Sequence, residues 1–195
     1  MTETKPDSEH EFEWWAEELI KRGYIDNIKH HPQAFLLTPK AHFEYSEVKV
    51  TKRGVGTKSG TGFLMYEWTY TPDFGIWWNK KAYGLLYYNM GEGHNLKETI
   101  LYGHDDMSLV ESKPDYMFRK EGKLFSMKQK AMWNINKLYV NLCNFPKFFS
   151  TTFVPEKYLC TDVHKKLKAD YQRKKPRMID EFLEMRIEWQ RKKIG

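Results

Sequence analysis

The chain has few cysteines and no long apolar segment, and these absences exclude several classes of protein. Two cysteines in 195 residues, Cys143 and Cys160, are too few for a disulfide framework or a cysteine-based zinc site. Their apolar and aromatic neighbours predict buried thiols instead. No apolar run approaches the roughly 18 residues that a membrane span requires, and the polar, acidic start is unlike a signal peptide. We therefore expect a soluble intracellular protein, located in the cytoplasm, with no membrane partner.

Several catalytic and base-reading motifs are also missing. The segment TKRGVGTK (51–58) is rich in glycine and lysine but lacks the spacing of a P-loop. The histidines, including His30 and His31, do not follow the HExxH spacing, and no nucleophile elbow marks a serine hydrolase. Nothing resembles a helix-turn-helix or a zinc finger that would read bases. If the protein binds nucleic acid, we expect it to recognise backbone and shape.

What the chain does contain is a large apolar fraction and an excess of positive charge. Apolar residues make up 41% of the sequence and aromatic residues 16%, which is enough for a sizeable core. Lys and Arg outnumber Asp and Glu by 32 to 26, and the excess lies mainly in residues 51–58 and from Lys157 onward. A basic surface suits a polyanion, most commonly nucleic acid, although it also serves solubility.

Hydrophobic periodicity predicts an α/β protein. A helix over 9–22 carries apolar residues at helical spacing and ends at Gly23. The other predicted elements are strands between residues 33 and 73 with TKRGVGTKSGTG as a turn, a hairpin of FGIWW and YGLLYYNM, a strand SLVESK, a helix over 126–142, a strand over 145–154, and charged helices after Asp162. This order predicts a central mixed β-sheet flanked by helices.

Three residues near the ends of predicted strands suit phosphodiester hydrolysis. Asp73 follows a strand in YTPDF, whereas Glu111 and Lys113 project from one face of a strand in VESK. Paired carboxylates hold Mg²⁺, which neutralises charge on a phosphoryl group, and a neighbouring lysine orients the attacking water. The plain alternative is a surface ion pair between Glu111 and Lys113, which would contribute little to stability.

Pro72–Asp73 followed by Glu111–Ser112–Lys113 resembles the PD-(D/E)XK nuclease superfamily. SEHEFEWWAEELIKRGYI, HPQAFLL and FSMKQKAMWNI resemble the first helix, a strand and the post-motif helix of phage and bacterial members related to Holliday junction resolvases. The similarity spans residues 8 to 155. It implies a restriction-endonuclease-like core within the α/β fold, and a Mg²⁺ cofactor for which Mn²⁺ would substitute.

The resemblance also implies roles for individual residues. Asp73, Glu111 and the helical Glu11 would be catalytic metal ligands, and Lys113 would be the catalytic lysine. Glu11 also fits a plain capping box with Ser8, three residues earlier, and both interpretations stay open. Asp73 and Glu111 are further apart along the chain than in the simplest members of the superfamily.

Other acidic residues compete for these roles. The insertion between the two motifs leaves Asp105 or Asp106 open as a metal ligand. The E-x-K pattern recurs at Glu47–Lys49, which precedes Asp73 in the chain, and at Glu121–Lys123, which adjoins a turn predicted at Gly122. Neither recurrence has the predicted order of strand, connection, strand and helix around it, so we favour Glu111.

The basic residues predict where nucleic acid would bind. Lys52, Arg53 and Lys58 lie in the glycine-rich segment, and Lys128 and Lys130 occupy basic positions of the post-motif helix in the resemblance. Contacts of these side chains with phosphates would depend strongly on salt and little on sequence.

The sequence therefore predicts a nuclease-like core over 1–155 and a basic helical C-terminal extension over 156–195. The expected function is Mg²⁺-dependent cleavage of DNA, with branched DNA such as a Holliday junction as the substrate. Two alternatives stay open: a transposon-type or restriction-type endonuclease, and a noncatalytic protein that binds nucleic acid or another partner. A homodimer through the stripe Met178, Phe182, Met185 and Trp189 would suit a four-way junction.

Overall fold

The computed structural model describes residues 8–92, 99–145, 147–160 and 176–194. Its helices are α1 (Ser8–Lys21), α2 (Asp115–Ala131), α3 (Lys147–Thr151), α4 (Glu156–Cys160) and α5 (Ile179–Ile194). Its strands are β1 (Ile25–His30), β2 (Phe35–Thr38), β3 (Ala41–Thr51), β4 (Gly54–Met65), β5 (Trp68–Tyr70), β6 (Phe74–Trp78), β7 (Tyr87–Asn89), β8 (Leu101–Gly103), β9 (Met107–Pro114) and β10 (Val140–Phe145). Among the described helices, none has the length and apolar character to cross a membrane.

A four-stranded mixed sheet with the order β1-β6-β9-β10 forms the centre of the molecule. Strand β6 is antiparallel to β1 and to β9, whereas β10 is parallel to β9. A parallel neighbour requires a crossover connection, and α2 supplies one between β9 and β10. The predicted α/β fold with a mixed sheet and helices is therefore confirmed.

Helix α1 forms because its apolar residues repeat at helical spacing. Phe12, Trp15, Ala16 and Leu19 are fully buried against the sheet, and each large apolar side chain contributes roughly 1.5–3 kcal/mol when fully buried. The helix ends before Gly23, whose φ of 68° suits a residue without a Cβ. The predicted helix over 9–22 therefore agrees with the observed one to within a residue at each end.

Alternate residues of β9 face two different hydrophobic clusters. Val110 belongs to the larger cluster, together with side chains of α1 and β6. Leu109 belongs to the smaller cluster, together with side chains of β2, β5 and α2. Since successive strand side chains point to opposite faces, α1 covers one face of the sheet and α2 the other. Glu111 therefore lies on the α2 face, and Ser112 lies on the α1 face.

Strands β3 and β4 form a long ribbon, and in the described part of the chain they pair only with each other. The predicted turn TKRGVGTKSGTG is mostly strand, because its alternating glycines leave room for aromatic rings that cross over from β3. A Cβ added to Gly62 would lie 2.5 Å from the Phe43 ring, and one added to Gly60 would lie 3.0 Å from the Tyr45 hydroxyl.

Several predicted elements are wrong. Residues 126–142 contain the end of α2, a π-helical turn (Met132–Asn136) and the start of β10. The strand predicted over 145–154 contains the short helix α3. The predicted hairpin is absent because β6 pairs with β1 and β9, whereas β7 pairs with β8. Cys143 in β10 is a fully buried thiol, as predicted, whereas the side chain of Cys160 lies outside the described residues.

Helix α5 packs into the core of the protein. Phe182 is 1% exposed and lies in the larger cluster, and Arg186 Nε donates a hydrogen bond to Leu85 O at 2.7 Å. The stripe proposed as a dimer surface is therefore partly used within the chain, although Met185 is exposed. The division at residue 155 stays a prediction, and residues 161–175 of the extension lie outside the described part.

Candidate active site

The strand register brings Asp73 and Glu111 to neighbouring positions at one end of the sheet. Phe74 on β6 lies opposite Val110 on β9 in antiparallel pairing. Asp73 precedes Phe74, Glu111 follows Val110, and the charge of Glu111 acts on Asp73. Both carboxylates are buried, with exposed fractions of 7% for Asp73 and 3% for Glu111.

The two oxygens of Glu111 have different partners. The Tyr70 hydroxyl donates a hydrogen bond of 2.6 Å to Oε2, and Lys113 Nζ lies 3.1 Å from Oε1. Burial, followed by the charge of Glu111, raises the pKa of Tyr70 far above its usual range, so Tyr70 stays a protonated donor. Tyr70 was not among the predicted site residues, although its place three residues before Asp73 was a usable signal.

Asp73 is held by the backbone but disfavoured in its charged form. The Ser112 N–H donates a hydrogen bond of 2.8 Å to Asp73 Oδ2. Burial, and after it the charge of Glu111, nevertheless raises the pKa of Asp73 to about 6, against the opposing effects of the Ser112 N–H and Lys113. A cation beside Asp73 would favour the ionised carboxylate.

The first turn of α1 is tied to β9 next to the carboxylates. Ser112 Oγ donates to Ser8 O at 2.5 Å, and Ser8 Oγ donates to Ser112 O at 3.3 Å. Besides burial and Glu111, the charge of Glu9 also raises the pKa of Asp73. The sequence analysis did not single out Glu9.

Glu9 and Glu11 flank the buried face of α1 on opposite sides. Two residues correspond to about 200° of rotation around a helix, and the buried Phe12 lies between their directions. Glu11 is partly buried, and its role as a catalytic metal ligand stays a prediction.

Two histidines at the end of β1 lie close to Glu9. The Nε2 atom of His30 is 2.7 Å from Glu9 Oε2, and the ligand atoms of Glu9, His30 and His31 all lie within 4.8 Å of one another. The His31 N–H donates to Asp73 O at 2.8 Å. Both histidines are exposed, and imidazole favours Zn²⁺, Cu²⁺ or Ni²⁺ over Mg²⁺. This group therefore does not support the predicted Mg²⁺ site.

Lys128 and Lys130, the predicted DNA-binding residues of α2, differ from each other in their surroundings. Lys128 Nζ is 4.9 Å from the centre of the Tyr70 ring, and the hydroxyl of that ring contacts Glu111. Lys128 therefore borders the carboxylate pair. Lys130 is exposed, and two residues further along the helix it points in another direction. The role of both lysines in DNA binding stays a prediction.

The other predicted DNA-binding residues lie on the ribbon. Lys52 and Arg53 form the turn between β3 and β4, and Lys58 lies on β4. All three are exposed, as contact with a polyanion requires, and their role in binding DNA stays a prediction.

The alternative acidic ligands lie elsewhere. Asp106 precedes β9 and is five residues from Glu111, which is about 16 Å along an extended strand. Asp105 lies one residue further away. Neither can share a cation with Glu111, so this alternative is wrong. The turn predicted at Gly122 is also wrong, because Gly122 lies within α2.

Comparisons with known proteins add no information about this site. No family model matches the chain, and neither curated proteins nor solved structures give a match.

Proposed function

We propose that this protein is a metal-dependent DNA endonuclease that hydrolyses phosphodiester bonds. The observation that carries the proposal is the pairing of two buried carboxylates, Asp73 and Glu111, beside the ammonium of Lys113. The single ammonium of Lys113 can balance the charge of only one of the two carboxylates. The other carboxylate, Asp73, has a pKa that burial and the charge of Glu111 raise to about 6, and strongly perturbed acids cluster at functional sites.

Asp73 and Glu111 suit a hard divalent cation such as Mg²⁺, with Mn²⁺ as a substitute. Both supply carboxylate oxygens, the ligands that such ions prefer. A carboxylate has about four lone-pair positions, and the contacts with Ser112, Tyr70 and Lys113 use only some of them. When bound, the cation would neutralise phosphoryl charge and activate water. Glu11 is the proposed third ligand.

The protein's own side chains would hold the reacting groups in place. Lys113 would donate a hydrogen bond to the attacking water and offset the charge that develops on the phosphoryl oxygens. Tyr70 fixes the position of Glu111, and the Ser112 N–H fixes that of Asp73. Such preorganisation reduces the cost of ordering the site during the reaction.

The order of the sheet-forming elements supports the restriction-endonuclease-like core that the resemblance implies. The chain passes through α1, β1, β6, β9, α2 and β10. Asp73 precedes the second strand of this series, Glu111 and Lys113 lie on the third, and α2 follows directly. The strands β2–β5 and β7–β8 are additions between these elements.

Branched DNA is the proposed substrate. The basic residues on the ribbon and on α2 suit backbone contacts that do not read sequence, and a junction is distinguished by its shape. A homodimer would make the paired incisions that a four-way junction requires. Size-exclusion chromatography with light scattering, with and without a synthetic junction, measures this oligomeric state.

Nicking of supercoiled plasmid in Mg²⁺ or Mn²⁺ tests the activity. We expect Asp73→Asn, Glu111→Gln and Lys113→Ala to lower the cleavage rate about 100-fold or more, while binding measured in Ca²⁺ stays close to that of the wild type. Asp106→Asn is the matched control, because Asp106 is an exposed carboxylate at the other end of β9.

A panel of junction, flap, duplex and single-stranded DNA identifies the preferred geometry. Cleavage at the wild-type rate by both Asp73→Asn and Lys113→Ala would disprove the assigned site. If the wild type binds these substrates but cuts none of them with either ion, the protein is a noncatalytic nucleic-acid-binding protein instead.

A further inference from the structure

The ribbon of β3 and β4 has two chemically different faces. In its register Lys49 lies opposite Gly56 and Glu47 opposite Lys58, whereas Val48 lies opposite Thr57. Because side chains alternate along each strand, the residues of the first two pairs share one face. We call this the glycine face, and it comprises Phe43, Tyr45, Glu47, Lys49, Gly54, Gly56, Lys58, Gly60 and Gly62.

The glycine face is filled near its base and open near its tip. At the base, the rings of Phe43 and Tyr45 cover Gly62 and Gly60. Near the tip, a Cβ added to Gly56 would meet no atom within 4 Å. A ligand can therefore approach the backbone of the tip closely, as at other glycines whose missing side chain admits a ligand.

Cationic side chains surround this open part. Lys49, Arg53 and Lys58 line one shallow pocket, and the rest of its lining is the β4 segment Gly54, Val55, Gly56 and Thr57. Glu47 is opposite Lys58 and offsets one positive charge. The pocket keeps a positive surplus over a surface without side chains, which suits a phosphate group.

The opposite face of the ribbon has another character. Val48, Val50 and Val55 are 65%, 79% and 72% exposed, and Ser46 and Ser59 contact each other at 3.2 Å between their hydroxyl oxygens. The contrast gives the ribbon a definite binding side. At about 3.3 Å per residue the ribbon is roughly 35 Å long, so its tip extends far from the sheet.

We propose that the glycine face of the ribbon holds a backbone phosphate of duplex DNA between Lys49, Arg53 and Lys58, at a distance from the cleaved bond. This inference rests on the proposed function in taking DNA as the ligand. It adds Lys49 to the predicted basic residues and gives Gly56 the role of the pocket floor, which accounts for the open glycines at the tip.

Gly56→Val tests the floor without changing the charge. It adds a β-branched side chain where a strand tolerates one and where the structure leaves space. Thr61→Val is the matched control, because it puts the same side chain on the same strand, on the opposite face and outside the pocket. Binding is measured with the full chain by fluorescence anisotropy in Ca²⁺, on a duplex of about 30 base pairs, across about 50–200 mM salt.

We expect Gly56→Val to weaken binding about tenfold and to lower the salt slope by about one, whereas Thr61→Val stays within about twofold of the wild type. The double variant Lys49→Gln/Lys58→Gln should weaken binding by at least as much. Arg191→Gln/Lys192→Gln removes the same charge from exposed positions of α5 and should leave affinity nearly unchanged.

Equal affinities of Gly56→Val and Thr61→Val would overturn the inference, and so would a wild type that does not bind duplex DNA. Circular dichroism of each variant verifies that it is folded, and the double lysine variant tests the pocket independently if Gly56→Val does not fold. Cleavage is scored separately. If Gly56→Val weakens DNA binding but the wild type nicks no DNA, the phosphate pocket is supported and the nuclease is rejected. If the wild type nicks DNA and Gly56→Val binds it as tightly as the wild type does, the nuclease is supported and the phosphate pocket is rejected.

Discussion

Replacing Asp73 with asparagine should stabilise the metal-free protein near pH 8. Burial, and after it the charge of Glu111, raises the pKa of Asp73 from 3.8 to about 6. The folded state therefore binds a proton more tightly than the unfolded state, and folding stability falls as the pH rises from about 4 through about 6. Above that range the wild type carries the full cost of an ionised carboxylate in this position.

The magnitude follows from the same difference in pKa. At about 1.4 kcal/mol for each pH unit, the upper limit is about 3 kcal/mol, and solvent screening at the end of the sheet reduces the expected gain to about 1–2 kcal/mol. Asparagine has an amide oxygen that can still accept the hydrogen bond from the Ser112 N–H. The substitution therefore removes the charge while keeping this contact.

Urea unfolding in EDTA at several pH values between about 4 and 8 measures this effect. The stability difference in favour of Asp73→Asn should be largest above pH 6 and vanish near pH 4. Asp106→Asn, an exposed change, should stay within about 0.5 kcal/mol of the wild type throughout. An Asp73→Asn protein that is less stable than the wild type at pH 8 would refute the reasoning, because Asp73 would then stabilise the fold as a charged group.

Three further predictions concern the metal, Tyr70 and α5. Mg²⁺ at about 100 times its Kd should raise the free energy of unfolding of the wild type by about 2.7 kcal/mol and leave Asp73→Asn nearly unaffected, as thermal unfolding with and without the ion will measure. Tyr70→Phe removes the hydroxyl that holds Glu111. We expect the variant to lose about 1–2 kcal/mol of stability and to need a higher Mg²⁺ concentration for nicking. An unchanged dependence of nicking on Mg²⁺ concentration would contradict the positioning role of Tyr70. Phe182→Ala should destabilise the protein by about 3–5 kcal/mol, whereas Met185→Ala at an exposed position should cost under about 1 kcal/mol; similar urea midpoints would contradict the packing of α5 into the core.

The resemblance grouped Asp73 with Glu111 and Lys113, and the three residues do lie near each other. Alternation along β9 puts Glu111 and Lys113 on one face whatever the neighbours are, and a proline before Asp73 indicated the start of a new segment. The partners Tyr70 and Ser112 were not predicted. Their contacts depend on which strands pair and in which register, and a single strand pattern does not contain that information.

The elements after α2 could not be placed for a related reason. Strand β10 has no exposed residue on either face, and a strand that is covered on both faces lacks the alternation of exposed and buried positions that distinguishes a strand from a helix. The apolar residues Ile135, Leu138 and Leu142 therefore continued the helical spacing of α2 by coincidence. In the ribbon, aromatic rings from β3 compensate for the glycines of β4, so local propensity predicted a turn where cross-strand packing forms a strand.

The surroundings of Glu111 bear on the choice between a structural ion pair and the proposed functional site. An exposed pair contributes up to about 1 kcal/mol, but Glu111 is 3% exposed, and removing two charges from water costs more than their attraction usually returns. Apolar residues, Leu109 and Val110, occupy the preceding positions of the same strand. Apolar residues in place of the Glu111–Lys113 ion pair would stabilise this end of the sheet better than the pair does. Asp73 adds a second buried carboxylate against a single ammonium in contact with the pair. Protonation of Asp73 would neutralise the excess negative charge in the metal-free protein, and in the proposed nuclease a divalent cation that also binds a phosphodiester would take over that role.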